Sequence, residues 1–216
     1  MTLRLPDSGA EVLPDGRRVA PSALRNAGPI VEALVRHSLP TGAALEIASG
    51  TGQHSVQLAR SCPGLHWQPS DVNPANLASI AAWGAHDPQP NLRAPIVLDA
   101  CRPGWGAGQA GKALILIVNL LHLVPDEAAA ALIGELPAAL APGGVVALYG
   151  PFLRDGKPTS EGDAAFHARL REQDARLGYK DLDWVLNALG AAGLAITDTV
   201  SMPANNLMLF ARKPAS

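Results

Sequence analysis

Short apolar runs recur along this chain, each closed by a glycine, a proline or a carboxylate, with stretches of helical composition between them. Residues 44–48 read as a buried strand interrupted only by Glu46, because an apolar run bounded by turn signals is the mark of a strand covered on both faces. Ser55-Val56-Gln57-Leu58-Ala59 carries a helix that Pro63-Gly64 stops, and a second strand over 65–71 ends on Asp71. A helix over 74–83 and the loop His86-Asp87-Pro88-Gln89-Pro90 lead to a third strand over 94–98, closed by Asp99. Residues 102–111 hold Pro103 and four glycines around Trp105, which predicts a flexible connection. The most apolar run, 113–119, predicts the central strand. A helix from 126 towards 140, kinked or ended early by Pro137, and the turn Pro142-Gly143-Gly144 precede a fifth strand over 145–149.

Strand and helix thus alternate, which requires a mostly parallel sheet with helices on both faces and right-handed crossovers. Ligands of such sheets collect beyond the carboxyl ends of the strands. The tail breaks this rhythm: after a helix over 182–192, runs at 196–201 and 206–212 lie only a few residues apart and predict an antiparallel hairpin. Five strands and this hairpin give an α/β, Rossmann-like, mostly parallel seven-stranded sheet, the plan of class I methyltransferases. Residues 1–20 carry Pro6, Pro14 and Gly16 and read as a loose arm, with the place of a lid, before a helix over 21–37.

At 216 residues the chain fits one domain with a continuous core. A net charge of −2 and a pI near 6.3 give no basic field to draw in nucleic acid or an anionic membrane, so a small-molecule substrate is expected. Cys62 and Cys101 form neither a CxxC pair nor a disulfide framework, as suits a reducing compartment. Together with the lack of a leader-like or membrane-length segment, this predicts a cytoplasmic protein. His37, His66, His86 and His167 lack metal-ligand spacing, so no metal site is expected.

The chemistry concentrates at the end of the first strand. Gly50 and Gly52 remove β-carbons that would hold a ligand away from the turn, freeing backbone N–H groups to face it. Asp71 follows Gly50 by 21 residues, the separation at which a β-α-β unit brings a carboxylate to a ribose. A dinucleotide would want a third glycine and an open helix start. Here Ser55 stands in the third place, Gln53-His54 crowd the turn, and Glu46 suits a cationic ligand. S-adenosylmethionine (AdoMet) fits these features better than a nicotinamide or flavin dinucleotide.

Read together, the segments Leu45-Glu46-Ile47-Ala48-Ser49-Gly50-Thr51-Gly52-Gln53-His54, Trp67-Gln68-Pro69-Ser70-Asp71, Tyr149-Gly150-Pro151-Phe152 and Met202-Pro203-Ala204-Asn205-Asn206-Leu207 carry a resemblance. Over residues 21–213 the chain resembles an uncharacterised family of AdoMet-dependent methyltransferase-like proteins, the one containing methyltransferase-like protein 26. Arg25-Asn26 before Pro29-Ile30 resembles that family's N-terminal segment, and Thr159-Ser160 through Phe166 its insertion after the fifth strand. The chain departs from the pattern at Asn119-Leu120-Leu121-His122, a conservative change. It also departs at Asp163 and His167, where Asn and Asp are expected and where the charge of the acceptor region changes.

The resemblance implies roles. Ala48, Ser49, Gly50, Gly52, Gln53 and His54 shape the cofactor turn, with Glu46 supporting the loop or the ammonium group of AdoMet. Asp71 with Val72 meets the ribose, and Asp99 with Ala100 the adenine, Asp99 being alternatively the cap of a turn. Asn119 positions a ligand, and His122 is either a general base titrating near neutrality or a structural histidine bonded to its loop. Arg25, Asn26, Tyr149, Phe152, Asn205 and Asn206 enclose an acceptor, unless the two aromatic residues serve the core and the Asn pair the hairpin turn. The leading expectation is a small-molecule methyltransferase that leaves S-adenosylhomocysteine as product. Its alternatives are an AdoMet-binding regulatory or scaffold protein without turnover and, third, a nicotinamide-dependent oxidoreductase.

Overall fold

In the computed structural model, which describes residues 9–215, the elements follow the predicted alternation. A hairpin of β1 (Glu11–Val12) and β2 (Arg18–Val19) leads into α1 (Pro21–Arg36). Then come β3 (Gly42–Ile47), α2 (Gln53–Ser61), β4 (Leu65–Asp71), α3 (Pro74–His86), β5 (Ile96–Val97), α4 (Trp105–Gly108) and β6 (Lys112–Val118). A 3-10 turn (Leu121–Leu123), α5 (Asp126–Ala139), β7 (Leu140–Gly150), β8 (Phe152–Leu153), α6 (Glu161–Gln173), β9 (Lys180–Asp181), α7 (Leu182–Ala191), β10 (Ala195–Ser201) and β11 (Leu207–Arg212) complete the chain.

Seven strands form one sheet in the order β10-β11-β7-β6-β3-β4-β5. The pairs from β7 through β6, β3 and β4 to β5 are parallel, and β11 joins β7 and β10 antiparallel. Successive strand residues point to opposite faces, so the apolar runs build two cores. Leu114 and Leu116 pack with Ile30 and Leu34 of α1 and Leu58 of α2. Ile115 and Ile117 pack on the other face with Leu132 and Leu136 of α5 and Val185 and Leu189 of α7.

Four segments differ from the sequence expectation. The third strand shrinks to two residues beside Ser70 and Asp71, because Pro95 has no N–H to offer the ladder at this edge. Helix α5 runs through Pro137 to Ala139, and the Lys213 ammonium donates to the carbonyls of Pro137 (2.7 Å) and Leu140 (2.9 Å) at its end. The glycine-rich connection contains α4, and the Glu135 carboxylate accepts from the N–H groups of Gly104 (2.8 Å) and Gly106 (2.9 Å). The insertion after the fifth strand holds α6, whose first turn Ser160 caps by accepting from Asp163 N–H.

The expected loose arm also has structure within its described part. Ser79 Oγ accepts from Arg18 N–H (2.8 Å), Trp83 Nε1–H donates to the Arg18 carbonyl (3.0 Å), and Gln53 Oε1 accepts from Ala20 N–H (2.6 Å). These bonds fasten the hairpin to α3 and to the start of α2. Residues 1–8 of the arm lie outside the described residues.

Candidate functional site

The chain turns sharply where the central parallel strands end. Ala48, just after β3, and Asn119, just after β6, both adopt left-handed backbone, at φ 54° and 55°, a conformation that non-glycine residues hold only against surrounding constraint. Asn119 N–H donates to the Tyr149 carbonyl (2.9 Å). The Ala48 turn is held by a cluster of serines: Ser49 N–H donates to the Ser70 carbonyl (2.8 Å), and the hydroxyls of Ser49 and Ser70 both donate to the Glu46 carbonyl (3.2 and 2.8 Å).

Glu46 is buried behind this loop, and its carboxylate accepts from the Ser55 hydroxyl. Burial pushes its pKa up to about 7, outweighing the hydrogen bonds from Ser55 and Ser49, with the Asp71 charge adding to the rise. The serine in the third glycine's place therefore anchors the strand acid. Of the two roles expected for Glu46, the geometry displays support of the loop.

The two glycines divide their work. At Gly50 (φ 59°) a β-carbon would meet only the Ala48 carbonyl, at 4.0 Å, so the space beside the turn is open. At Gly52 (φ 88°) it would stand 2.7 Å from Ile80 Cα. Gly52 thus lets the loop press against α3, which corrects the reading of both glycines as making room for a ligand. Gln53 likewise turns away from the crevice: its Oε1 accepts from Ala20 N–H and the Thr51 hydroxyl (2.6 and 2.9 Å).

Asp71 ends β4 almost fully buried. Its Oδ2 accepts from Gly50 N–H (2.9 Å) and Asn76 Nδ2 (3.2 Å), and its Oδ1 from Asn73 N–H (2.8 Å). The carboxylate therefore joins the glycine loop to the start of α3. Beside it lies a small, solvent-open cavity of about 60 Å³, lined by Ile47, Ala48, Asp71, Val72, Leu98, Asp99, Ala100, Cys101, Arg102 and Leu120. Its walls are largely apolar, with the Asp71 and Asp99 carboxylates as the anionic groups. Burial, with the Asp99 charge, pushes the Cys101 thiol to about 11, so the thiol stays neutral. Asp99 Oδ1 accepts from Cys101 N–H (3.2 Å), and its Oδ2 pairs with Arg102 Nε (2.8 Å). The expected turn cap is present, in the same cavity wall.

A second group of predicted residues meets on the opposite side of the glycine loop. His54 Nε2–H donates to Asn26 Oδ1 (2.8 Å), the Asn26 amide also bonds the Tyr149 hydroxyl, and Asn206 Nδ2 donates to that hydroxyl (3.0 Å). Four elements, α1, α2, β7 and the hairpin, are joined by this chain of bonds. Burial lowers His54 to about 4, so its ring is neutral. Asn205 belongs to a different cluster, in which Asp163 Oδ2 accepts from Asn205 Nδ2 (3.0 Å), Thr159 Oγ1 (2.7 Å) and Ser160 Oγ (2.8 Å). Asp163 Oδ1 accepts from the Tyr179 hydroxyl (3.2 Å). Ala204 and Asn205 also supply the paired positive φ angles, 56° and 59°, of a primed hairpin turn.

Three expectations change. His122 does not titrate near neutrality: burial, then the Lys180 ammonium, lower it to about 3, and Phe166 and Tyr179 stand edge-on to its ring with centroids at 5.8 Å. Phe152 is 2% exposed and packs in the core with Val185 and Leu189 of α7, in place of the acceptor wall expected for it. Arg25 is exposed on α1 and makes no hydrogen bond or ion pair within the described residues, while its neighbour Asn26 faces inward.

Sequence reasoning missed Leu98, Cys101, Arg102 and Leu120 as cavity wall, and Asn73 and Asn76 as partners of Asp71. Asn73-Pro74 carried a usable signal, since an Asn before Pro at a helix start is a cap, and Asn73 Oδ1 does accept from Ala75 N–H (2.9 Å). Among the described residues no helix is long and apolar enough to cross a membrane, and no cluster of His, Cys, Asp or Glu is arranged to hold a metal ion.

Known structures share this architecture. An O-methyltransferase family protein from Burkholderia thailandensis superposes with a TM-score of 0.77 at 18% identity, over 90% of this chain and 58% of that one. Human N-acetylserotonin methyltransferase, in complex with SAM, gives 0.73 at 15% identity, over 89% of this chain and 53% of that one. The chain therefore spans little more than half the length of these two proteins. A structure described as "Conversion of a Disulfide Bond into a Thioacetal Group during Echinomycin Biosynthesis" gives 0.66 at 20% identity, over 88% of this chain and 85% of that one. The fold is that of the Rossmann-like methyltransferases. By the match of residues 17–213 to its family model, the chain belongs to the family described as "Protein of unknown function (DUF938)".

Proposed function

We propose that the cavity beside Asp71 takes the adenosine part of AdoMet, and that the protein passes the cofactor's methyl group to a small-molecule acceptor, leaving S-adenosylhomocysteine. The observation that carries this reading is the cavity itself, an apolar slot with a carboxylate from each of two successive strand ends. Asp71 offers an acceptor to a ribose hydroxyl, and Val72, Leu98 and Leu120 offer apolar surface to a purine. Asp99 accepts from the exocyclic amine beside Ala100, since its surface pairing with Arg102 is weak and easily exchanged. Bound AdoMet supplies an electrophilic methyl on a sulfonium. The protein's task is then to orient an acceptor and exclude water, which needs no triad of catalytic side chains.

Asn26, His54, Tyr149 and Asn206 present hydrogen-bonding groups without charge, which favours a neutral acceptor. His122, held neutral and weakly basic, serves as an orienting group. A second reading, AdoMet binding without turnover, draws support from the same observation, because neither His54 nor His122 is a base matched to neutral pH. We further take the protein as one cytoplasmic domain of the family containing methyltransferase-like protein 26, without a nucleic-acid partner. The net charge of −2 and the sequence resemblance support this.

Calorimetric titration with AdoMet, S-adenosylhomocysteine and NADH tests the ligand: heat of binding with the first two and none with NADH is expected, and silence with both adenosyl ligands sinks the reading. Methyl-labelled AdoMet incubated with metabolite extract then separates the two forms. Label transfer by the wild type that Asp71→Ala abolishes marks an enzyme, whereas tight binding without transfer marks the second reading.

A further inference from the structure

The hydrogen bonds around Asp71 leave little of its carboxylate for a ligand. Each carboxylate oxygen has about two lone-pair sites. Gly50 N–H and Asn76 Nδ2 fill those of Oδ2, while Asn73 N–H takes one on Oδ1. Which site remains open is therefore set by the Asn76 amide. A side-chain amide can turn over, exchanging its NH2 for its oxygen, and an oxygen facing a carboxylate is repelled.

Asn76 is prevented from turning by a residue outside the strand-helix unit. Arg18 Nη1 donates to Asn76 Oδ1, and since a guanidinium only donates, it admits only the amide oxygen on its side. The NH2 is thereby fixed towards Asp71. Arg18 is itself held through both of its backbone polar groups. Its N–H bonds Ser79 Oγ, its carbonyl accepts from Trp83 Nε1–H, and the neighbouring Arg17 guanidinium lies over the Trp83 ring at 4.6 Å. Ser79 Oγ in turn donates to the Thr51 carbonyl within the glycine loop (2.7 Å). The N-terminal hairpin is thus joined to both halves of the cavity's polar end, to the loop through Ser79 and to the carboxylate through Asn76.

We infer that Arg18 is a positioning residue for nucleoside recognition: through the Asn76 amide it fixes the Asp71 carboxylate so that one Oδ1 site faces the ribose hydroxyls. This rests on the proposed adenosyl ligand. Without Arg18 the amide rotates freely, Oδ2 loses a steady donor, and the carboxylate no longer meets the ribose in one fixed orientation. The loss falls on the hydroxyl contact and not on the apolar walls.

The test is calorimetric titration of the whole chain with S-adenosylhomocysteine and with its 2′,3′-dideoxy analogue. The wild type is expected to prefer the ribose form. Arg18→Met weakens S-adenosylhomocysteine about fivefold, the scale of one hydrogen bond, and leaves the dideoxy analogue unchanged. Arg18→Lys, which keeps a donor, restores most of the preference, and Asn76→Leu reproduces the loss. Equal weakening of both ligands by Arg18→Met, or an undiminished preference for the ribose form, overturns the inference while the adenosyl reading stands. A wild type that binds neither ligand overturns both. Arg18→Lys and Asn76→Leu keep the test decisive should Arg18→Met fold poorly.

Discussion

The two sides of the glycine loop are built in different ways. On the cavity side, most of the residues that matter come from residues 46–102, joined by Leu120 and Arg18, and act through backbone geometry, carboxylates and hydroxyls that reach their partners across one turn or one strand pair. On the other side, Asn26, His54, Tyr149 and Asn206 come from elements spread over most of the chain and touch through amide, imidazole and phenol groups. The first construction is tied to the sheet because its turn and carboxylate sit directly at the ends of β3 and β4 and bond backbone N–H groups there. The second owes its shape to side chains alone, so it is the side that substitution can reshape without disturbing the sheet.

The largest expected break in this contrast is at Glu46. Its pKa is raised in the folded protein, so the stability it contributes is full below about pH 4.5 and is lost as pH rises through about 7. Between those limits the wild type should lose on the order of 3 kcal/mol relative to Glu46→Gln, read from denaturant unfolding of both at each pH. Parallel curves would remove the buried-acid account of the cavity side.

Next in size are the two glycines, which sharpen the comparison within the loop itself. Gly52→Ala must displace α3 at Ile80 and should cost about 3 kcal/mol of stability. Gly50→Ala, with open space beside it, should cost only about 1 kcal/mol yet abolish binding of S-adenosylhomocysteine. Thermal unfolding and calorimetry measure the two effects separately, and equal destabilisation by both would mean that the glycines do not divide their work.

The smallest effect lies on the other side. Tyr149→Phe leaves the Asn26 and Asn206 amides without their shared acceptor and should destabilise by about 1–2 kcal/mol, with S-adenosylhomocysteine affinity unchanged. A marked loss of that affinity would mean that the two sides are coupled.

This division also explains what the sequence disclosed. The strands, the central place of 113–119 and the hairpin were legible because buried parallel strands leave unbroken apolar runs, and the Gly50–Asp71 spacing followed from the length of one β-α-β unit. The third strand was over-read because its apolar run contains Pro95, whose missing N–H matters only once the neighbouring strand is known. Helix α6 went unread because, of its thirteen residues, only Leu170 is buried, so no apolar stripe marks it. The acidity of His122 was out of reach because it is set by Phe166, Tyr179 and Lys180, some forty to sixty residues further along the chain. Arg18 was hidden for the same reason: nothing local in a short hairpin points to Asn76.

The Asp163 cluster carries a consequence for motion. One carboxylate receives donors from the loop before α6, from the α6 cap, from the hairpin turn and from Tyr179 beneath. Four neighbours that share one acceptor group do not peel away singly, since moving the carboxylate strands them all. The segment over the His122 region is therefore held as a unit rather than as separately fraying loops.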